Sequence, residues 1–373
     1  MARATAPPET EALPEADRLE GFPHPRETAR LFGHERAERT LAQAFAGGHM
    51  HHAWLLTGRC GIGKATLAYR LARHALARPQ ERDVSGDLLQ VASETSAARQ
   101  VKALSHPGLL LLRRPYDSRA KRFAQSIPVD EVRKLKSFLG LTSGENAWRV
   151  ALVDSADELN LNAANALLKS LEEPPARTLF LLISAEPSRL LPTIRSRCRR
   201  LDLAPLAGEP LHAAVAAALS GRDLQLPDTQ AWAKLEALAQ GSVRRVLQLT
   251  ATGGLELYGR LERCLGSLPR LDWTLAHALT DEMGFGAPEQ HYEAFFELFF
   301  DLLARLVRAR ATGEGRPADR ALAERLIAPE RLPAWAAFWQ AAVAEKADAA
   351  EFNLDRKATL TSLFARLEAL ART

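Results

Sequence analysis

In the first half of the chain, continuous apolar runs take turns with segments of helical apolar spacing. This pattern predicts strands joined by helices. Three unbroken apolar runs have the length of buried strands: residues 53–57, 150–153 and 179–184. Three other segments repeat apolar residues at helical spacing: residues 35–45, 64–76 and 162–173. Strands that alternate with helices along a sequence indicate a parallel sheet with helices on both faces.

Beyond about residue 205 the pattern changes to helical spacing throughout. A broad apolar stripe predicts one helix that faces a core, with Phe295, Phe296, Phe299, Leu302, Leu303 and Leu306 as its members. The pattern predicts an α/β domain over residues 23–204, a small helical domain over 205–255 and a second helical domain over 256–373. Residues 1–22, rich in Pro, Glu and Ala, are expected to be a disordered tail that does not pack.

The composition is that of a globular protein, with 47% hydrophobic and 25% charged residues among 373. Charged residues interrupt every apolar run before it reaches the ~18 residues that a membrane helix needs, and the N-terminus lacks the pattern of a signal peptide. We therefore expect a cytoplasmic protein that does not enter a membrane. The net charge of +4 permits contact with nucleic acid but does not require it. The three cysteines lie far apart, which argues against a disulfide framework.

A glycine-rich segment follows the first predicted strand and precedes a predicted helix. It matches the pattern G-x-x-x-x-G-K, so Gly58, Gly61, Gly63 and Lys64 are candidate nucleotide-binding residues. Glycines let backbone N–H groups curl around phosphate oxygens, while the helix N-terminus and the lysine add positive potential. A glycine-rich turn that binds nothing is the alternative interpretation of these residues.

The residue after the lysine departs from the phosphate-loop pattern. That position ordinarily carries a Ser or Thr hydroxyl that ligates Mg²⁺, but this chain has Ala65 there and Thr66 one residue later. One residue on a helix turns a side chain by about 100°, so Thr66 is not expected to substitute. Both residues stay in the candidate nucleotide-binding set, and hydrolysis is in question.

A second catalytic position is also altered. Asp154 ends the second apolar run, where a carboxylate holds Mg²⁺ in nucleotide hydrolases, and we include it in the nucleotide-binding set. The next residue in hydrolysing AAA+ proteins is usually a Glu that polarises water, but here it is Ser155. The nearby acids Asp157 and Glu158 are interpreted as favourable residues at the start of the following helix.

Two longer motifs resemble those of a known family. Residues 165–175 read N-A-L-L-K-S-L-E-E-P-P and residues 191–198 read L-P-T-I-R-S-R-C. With the phosphate loop, they resemble bacterial clamp-loader subunits of the AAA+ class, the gamma/tau and delta-prime subunits of the DNA polymerase III holoenzyme. The resemblance covers about residues 30–250, and the stretch N-L-D-R-K at 353–357 is similar to delta-prime. Ala65 and Ser155 favour the delta-prime group, because gamma/tau keeps both catalytic groups.

The resemblance implies a fold and roles for several residues. The fold would be an α/β AAA+ P-loop domain, a small helical lid domain and an all-α C-terminal collar domain. Arg197 of the S-R-C motif would reach the γ-phosphate of a neighbouring subunit's ATP, as a planar, permanently charged guanidinium can. Alternatively, Arg197 pairs with a local acid. Arg244 resembles a sensor 2 arginine that contacts nucleotide in its own chain, Ser184 lies near the sensor 1 position, and residues 31–33 would line the adenine pocket.

The expected ligands follow from the same resemblance. ATP is the expected ligand of the loop, although the altered positions leave open whether it binds and argue against Mg²⁺. The family often carries a four-cysteine zinc module, but residues 78–130 contain no cysteine, so no zinc is expected. His49, His51 and His52 lack carboxylate or thiol partners in the sequence, and no metal is expected there. Basic clusters near residues 113–122 and 195–200 are either solvated faces or accessory contacts to DNA phosphates.

The resulting hypothesis is a delta-prime-like subunit of a clamp loader, which loads the sliding clamp on primed DNA in replication. Its partners would be gamma/tau and delta-type subunits, with the clamp and DNA contacted through the complex. Alone it would be a weak or inactive ATPase within a DNA-directed DNA polymerase (nucleotidyltransferase) holoenzyme. The alternatives are an active gamma/tau-type motor or another AAA+ DNA ATPase. A P-loop kinase of small molecules is less favoured, since the sequence has no acceptor motif and would leave the S-R-C arginine without a role.

Overall fold

A parallel five-stranded sheet lies at the centre of the first half of the chain. The computed structural model describes residues 13–28, 30–82, 88–140, 147–222, 224, 226–284, 286–352 and 354–372. Its strands are β1 (Ala53–Thr57), β2 (Leu109–Leu112), β3 (Tyr116–Asp117), β4 (Arg122–Phe123), β5 (Arg149–Val153), β6 (Thr178–Ser184) and β7 (Arg199–Asp202). The order in the sheet is β2-β5-β6-β1-β7 with every pair parallel, and β3 and β4 form a separate antiparallel pair.

Helices supply the crossovers that parallel strands require. Those of the α/β region are α1 (Glu35–Ala46), α2 (Lys64–Leu76), α3 (Ser96–Lys102), α4 (Val129–Gly140), α5 (Leu161–Glu172) and α6 (Pro192–Arg197). The later helices are α7 (Glu209–Leu219), α8 (Thr229–Ala239), α9 (Val243–Ala251), α10 (Gly254–Gly266), α11 (Trp273–Glu282), α12 (Glu289–Thr312), α13 (Pro317–Leu326), α14 (Leu332–Glu351) and α15 (Arg356–Arg372). The chain divides into two compact units, residues 1–226 with 236–246 and residues 227–235 with 247–373.

Each central strand is buried on both faces. In β1, Trp54 and Leu56 belong to the core that α1 and α2 cover, whereas Ala53 and Leu55 belong to the core that α4 and α5 cover. The strands β5 and β6 alternate in the same way. Burial on both faces explains why these strands read as continuous apolar runs rather than alternating ones.

The strand order brings the candidate residues to one edge of the sheet. The glycine-rich loop leaves the carboxyl end of β1, Asp154 leaves that of β5, and Ser184 ends β6 between them. Ligands of open parallel sheets bind outside the carboxyl ends of the strands. The fold therefore forms the candidate site at this edge.

The predicted fold class is confirmed in its architecture: an α/β domain with a parallel sheet and a glycine-rich P-loop is followed by helices. The three predicted strands and the helices next to them are present, and the described residues after 202 contain helices but no strand. The six residues of the predicted stripe on α12 are all buried. The edge strands β2 and β7 were not predicted: β7 is a charged R-R-L-D segment without an apolar run, whereas the short L-L-L-L run of β2 was overlooked.

The expectation that residues 1–22 do not pack is wrong for residues 13–22, while residues 1–12 lie outside the described part. The side chains of Glu15 and Asp17 are largely buried in ion pairs, and Phe22 is 4% exposed. Composition indicated disorder, since proline and acids rarely form a core. The acids pack here because arginines and a histidine from other parts of the chain neutralise them.

A buried ion pair attaches α1 to α2, the helix that begins at the glycine-rich loop. Both Nε and Nη2 of Arg70 donate to Oε1 of Glu38, at 2.9 and 2.6 Å, and the backbone N–H of Leu89 donates to the same oxygen. The two side chains are only 10% and 5% exposed. A buried pair of this kind is costly to break by removing one partner.

We predict that Glu38→Ala destabilises the chain by about 3–5 kcal/mol, because Arg70 stays buried after losing its carboxylate. Urea unfolding followed by circular dichroism measures the change. Asp130→Ala, which removes an exposed ion pair with Arg133, is the control and should have little effect. Equal stability of Glu38→Ala and the unchanged protein would contradict the prediction.

Candidate functional site

The glycine-rich loop has a backbone that only glycine adopts readily. Gly58, Gly61 and Gly63 have φ angles of +138°, +76° and +109°, a region that other residues rarely occupy. A Cβ on Gly58 would lie 2.5 Å from the carbonyl oxygen of Leu203, and one on Gly61 would lie 2.5 Å from Cβ of Arg244. The sequence thus forms a tight loop at the N-terminus of α2, the geometry of a phosphate cradle.

Lys64 is engaged by its own loop. Its Nζ donates to the carbonyl oxygens of Gly58 and Arg59, each at 2.6 Å. Burial lowers the pKa of Lys64, with an opposing contribution from acids that include Asp154. A phosphate at the loop would have to replace the two carbonyl contacts before it could take this ammonium group. Ala65 and Thr66 follow in the first turn of α2, and their part in nucleotide binding stays a prediction.

Asp154 is a buried carboxyl group whose pKa is strongly raised. It follows β5 and is 8% exposed. Burial, followed by the nearby charge of Asp17, raises the pKa of Asp154 to about 7. Magnesium is held by ionised carboxylates, and this group holds its proton over much of the range below neutral pH. The environment of Asp154 therefore disfavours a cation site.

The two acids after Asp154 have contacts of their own, although the charge of Asp157 also acts on Lys64. Ser155 has a φ angle of +59° and begins a short 3₁₀ turn. Glu158 forms an ion pair with Nε of Arg114 at 2.7 Å. Asp157 accepts a hydrogen bond from the backbone N–H of Ala185 at 3.3 Å. These contacts support the structural interpretation of both acids.

Arg244, the residue that resembles a sensor 2 arginine, lies against the loop. Its backbone N–H donates to the carbonyl oxygen of Gly61 at 3.3 Å. Its guanidinium donates instead to the N-terminal segment, to the carbonyl oxygens of Asp17 at 3.1 Å and Arg18 at 3.4 Å. Contact with a nucleotide by Arg244 remains a prediction.

Leu31, the first residue of the segment 31–33, lies beside Gly63 of the loop. The next residue after that segment, His34, also contacts the loop and was not singled out from the sequence. The Nε2 atom of His34 lies 2.7 Å from the carbonyl oxygen of Ile62, and burial lowers the pKa of His34. Gly33 has a φ angle of +71° and packs on Leu206. A histidine directly before the predicted helix α1 was the available signal.

A charged cluster beside Asp154 was also missed. Asp17 pairs with Arg113, and its Oδ2 lies 2.9 Å from Nε2 of His24. Burial alone would raise the pKa of Asp17, but its contacts with His24 and Arg113 lower it. Arg113 and Arg114 are thus committed to ion pairs within the chain. Two of the five basic residues in the cluster at 113–122 that was considered for DNA contact therefore pair within the chain.

Arg197 lies at the end of α6, on the surface. Its side chain is 36% exposed, pairs with Oε1 of Glu172 at 2.9 Å and donates to the carbonyl oxygen of Thr193 at 3.1 Å. Glu172 belongs to the N-A-L-L-K-S-L-E-E-P-P motif, so the two family motifs meet at this point. Neither contact involves the loop of the same chain.

The site as folded does not fit a magnesium triphosphate. The cradle is formed, but Lys64 and Arg244 already bind carbonyl oxygens, and Asp154, whose pKa is raised to about 7, is protonated below that pH. We therefore derive no hydrolysis step. Within the described residues, no group of three His, Cys, Asp or Glu side chains could hold a metal ion, and no helix is long and apolar enough to span a membrane.

A parallel sheet with a glycine cradle after β1 and an acidic residue after β5 is the arrangement of a P-loop protein. The family described as "DNA polymerase III, delta subunit" matches residues 33–207. The chain is 40% identical over 204 residues to the DNA polymerase III subunit delta' of Pseudomonas aeruginosa, which is 54% of this chain and 56% of that protein. It is 36% identical over 166 residues to subunit delta' of Escherichia coli, 44% of this chain and 46% of that protein. Residues 33–207 therefore match a family of DNA polymerase III subunits, and relatives named delta' confirm the resemblance seen in the motifs.

The chain matches about half the length of these relatives. It is also 30% identical over 227 residues to subunit tau/gamma of Haemophilus influenzae, 61% of this chain and 30% of that protein. Among solved structures, it resembles a DNA polymerase III gamma subunit-related protein of Thermotoga maritima with 17% identity and a TM-score of 0.41, covering 89% of this chain and 99% of that one.

We predict that Asp154→Asn stabilises the chain more at pH 8 than at pH 5. A carboxyl whose folded pKa exceeds its unfolded value binds more protons when folded, so its contribution to stability falls as pH rises from about 4 through about 7. An amide stays neutral and can donate a hydrogen bond as the protonated acid does. Between pH 5 and pH 8 the buried carboxyl group loses about two units of pH-linked stability. The substitution avoids this loss, which corresponds to about 2 to 3 kcal/mol.

The measurement is the melting temperature of both proteins from pH 5 to pH 8. One unit of pKa difference between the folded and unfolded states corresponds to about 1.4 kcal/mol of stability. Asp130→Asn, on an exposed side chain, is the control and should follow the unchanged protein. Parallel pH profiles for Asp154→Asn and the unchanged protein would show that Asp154 is ionised at neutral pH.

Proposed function

We propose that this chain is a delta-prime-type subunit of a DNA polymerase III clamp loader and does not hydrolyse ATP itself. The observation that carries the proposal is a fully formed P-loop that lacks the catalytic groups around it. Ala65 stands in the first turn of α2 and Ser155 after Asp154, and Lys64 is bound to its own loop. The names of the relatives, which include both delta' and tau/gamma subunits, support the clamp-loader assignment.

The proposed contribution of this chain to catalysis is Arg197, acting on ATP held by a neighbouring subunit. Three observations support that role. The residue is partly exposed, its contact with Glu172 is a surface ion pair, and it lies away from the sheet edge that carries the P-loop. A surface ion pair is worth little, so a γ-phosphate can replace Glu172 at small cost. Arginines supplied in trans accelerate GTPases by roughly 10³–10⁵-fold.

The proposed partners are gamma/tau and delta-type subunits, with the sliding clamp and primed DNA contacted through the assembled complex. The activity would be exercised in the cytoplasm, where replication takes place in bacteria. Within the polymerase holoenzyme the chain would position its neighbours, and the energy for clamp opening would come from ATP bound elsewhere. ATP in its own loop would require rearrangement of the contacts made by Lys64 and Arg244.

A gamma/tau-type motor is the second candidate, since the loop backbone is intact and tau/gamma proteins are among the relatives. The two functions differ in a simple measurement. A motor would release phosphate from ATP as an isolated chain in a magnesium-dependent manner, and Lys64→Ala would abolish that release. A delta-prime-type subunit would show no such activity.

We predict that Arg197→Ala lowers DNA-stimulated ATP hydrolysis by the assembled clamp loader at least several-fold, while the complex still forms. Truncation removes the guanidinium from the neighbour's γ-phosphate. Arg197→Lys should recover only part of the rate, because an ammonium group lacks the planar fork.

Arg195→Ala is the matched control, since Arg195 is an exposed arginine on the same helix. Size-exclusion chromatography checks assembly, and phosphate release with primed DNA and clamp measures turnover. An unchanged rate for Arg197→Ala in the intact complex would exclude the role in trans.

We also predict that Lys64→Ala changes clamp loading by less than about twofold, because Lys64 is bound to loop carbonyls rather than placed for hydrolysis. The readout is the rate of clamp loading on primed DNA by the complex. The same substitution in the gamma/tau partner is the positive control and should abolish loading. A severe loss with Lys64→Ala in this chain would mean that its own nucleotide site takes part in the cycle.

A further inference from the structure

The N-terminal arm, defined as residues 13–22, crosses the sheet edge where a nucleotide would be expected to bind. We propose that this arm is an intramolecular competitor of ATP that closes the P-loop site of the isolated chain. The proposal goes beyond the function above, because it concerns the free chain and holds whatever the role of Arg197.

The arm reaches the acidic residue of the site through Asp17. The Asp17 side chain lies beside the Asp154 carboxyl group and pairs with Arg113, which follows β2. Its Oδ2 atom also contacts His24. A negatively charged group of the arm therefore occupies the surroundings of Asp154, next to a basic residue at the carboxyl edge of the sheet.

The main chain of the arm also binds Arg244, the arginine next to the P-loop. The carbonyl oxygens of Asp17 and Arg18 accept hydrogen bonds from both terminal nitrogens of Arg244, whose backbone is bonded to Gly61 of the loop. Carbonyl oxygens are acceptors, as phosphate oxygens are. Arg244 cannot give the same N–H groups to the arm and to a nucleotide, so the two compete.

Anchors on both sides hold the arm in this position. On one side, Glu15 accepts hydrogen bonds from three arginines, Arg18, Arg26 and Arg113, at 2.8 Å each. These partners, working against burial, hold the pKa of Glu15 well below its usual range. On the other side, Phe22 is buried beneath the guanidinium of Arg222, which also bonds the carbonyl oxygen of Gly21. The arm is thus a folded element with specific contacts.

A tethered competitor is effective because its local concentration is high, in the millimolar range for short links. The apparent affinity for a ligand falls in proportion to the fraction of chains whose site is open. If the arm is closed in nine chains of ten, the apparent Kd for ATP rises about tenfold. Removing the two carboxylates of the arm should lower the apparent Kd for ATP by the same factor.

The test compares ATP binding by the full-length chain and by Glu15→Ala/Asp17→Ala, with a fluorescent ATP analogue as probe and unlabelled ATP as competitor. We expect the double variant to bind ATP at least about tenfold more tightly. Asp130→Ala/Asp281→Ala is the matched control, because it removes two exposed, ion-paired carboxylates on other helices. It should bind ATP as the unchanged chain does.

A second readout places the ligand in the loop. Cys60 is exposed within the P-loop, and mass spectrometry can follow its alkylation by N-ethylmaleimide peptide by peptide. ATP should protect Cys60 in the double variant at concentrations that leave the unchanged chain unprotected. Asp17→Asn, which keeps the shape of the arm, should show a smaller effect in the same direction, so the test stands even if the double variant folds poorly.

Equal ATP affinity and equal Cys60 protection in the unchanged chain, Asp17→Asn and the folded double variant would overturn the proposal. That outcome would leave the clamp-loader function standing, because the function does not require nucleotide in this loop. Conversely, tighter ATP binding without phosphate release by the double variant would support both.

Discussion

The contact between the P-loop and the start of α9 is the constraint on which the site depends. Gly61 must lack a side chain, because Ser242 and Arg244 occupy the space where its Cβ would lie. The same contact bonds the Arg244 backbone to the Gly61 carbonyl oxygen. The position of the arginine is therefore set by loop packing. Its guanidinium can turn to any acceptor that the edge of the sheet presents, and in this structure the acceptor belongs to the N-terminal arm.

Charge balance explains why so many ionisable groups can be buried at one edge of the sheet. Glu15 and Asp17 enter with arginine partners that neutralise them, whereas burial and the charge of Asp17 outweigh the opposing charge of Lys64 at Asp154. Isolated buried charges are expensive, and such groups change their protonation state instead. The raised pKa of Asp154 and the lowered pKa of Asp17 are two outcomes of one arrangement.

The loss of catalytic groups and the presence of the arm are consistent with each other. A chain that has Ala65 and Ser155 gains nothing from an open magnesium site. Its folded state can instead use the same edge for ion pairs that hold residues 13–22 against the α/β unit. The trans role proposed for Arg197 does not depend on the arm, because Arg197 ends α6 and precedes the start of β7, away from the P-loop.

The sequence by itself determined the fold class and the identity of the loop. Continuous apolar runs revealed β1, β5 and β6, since strands buried on both faces have no polar positions. The glycine spacing also needed no structure, because the tight loop dictates its residue types, whereas the S-R-C motif was recognised by its resemblance to clamp-loader subunits. The charged strand β7 carried no such pattern and was missed.

Only the tertiary structure decided what the site residues contact. Asp17 and Asp154 are 137 positions apart, and no local pattern indicates that their carboxyl groups meet. The same holds for Arg244 and the arm. A composition rich in proline and acid predicts disorder because it cannot form an apolar core. It says nothing of basic partners supplied by distant segments, and those partners are what order residues 13–22 here.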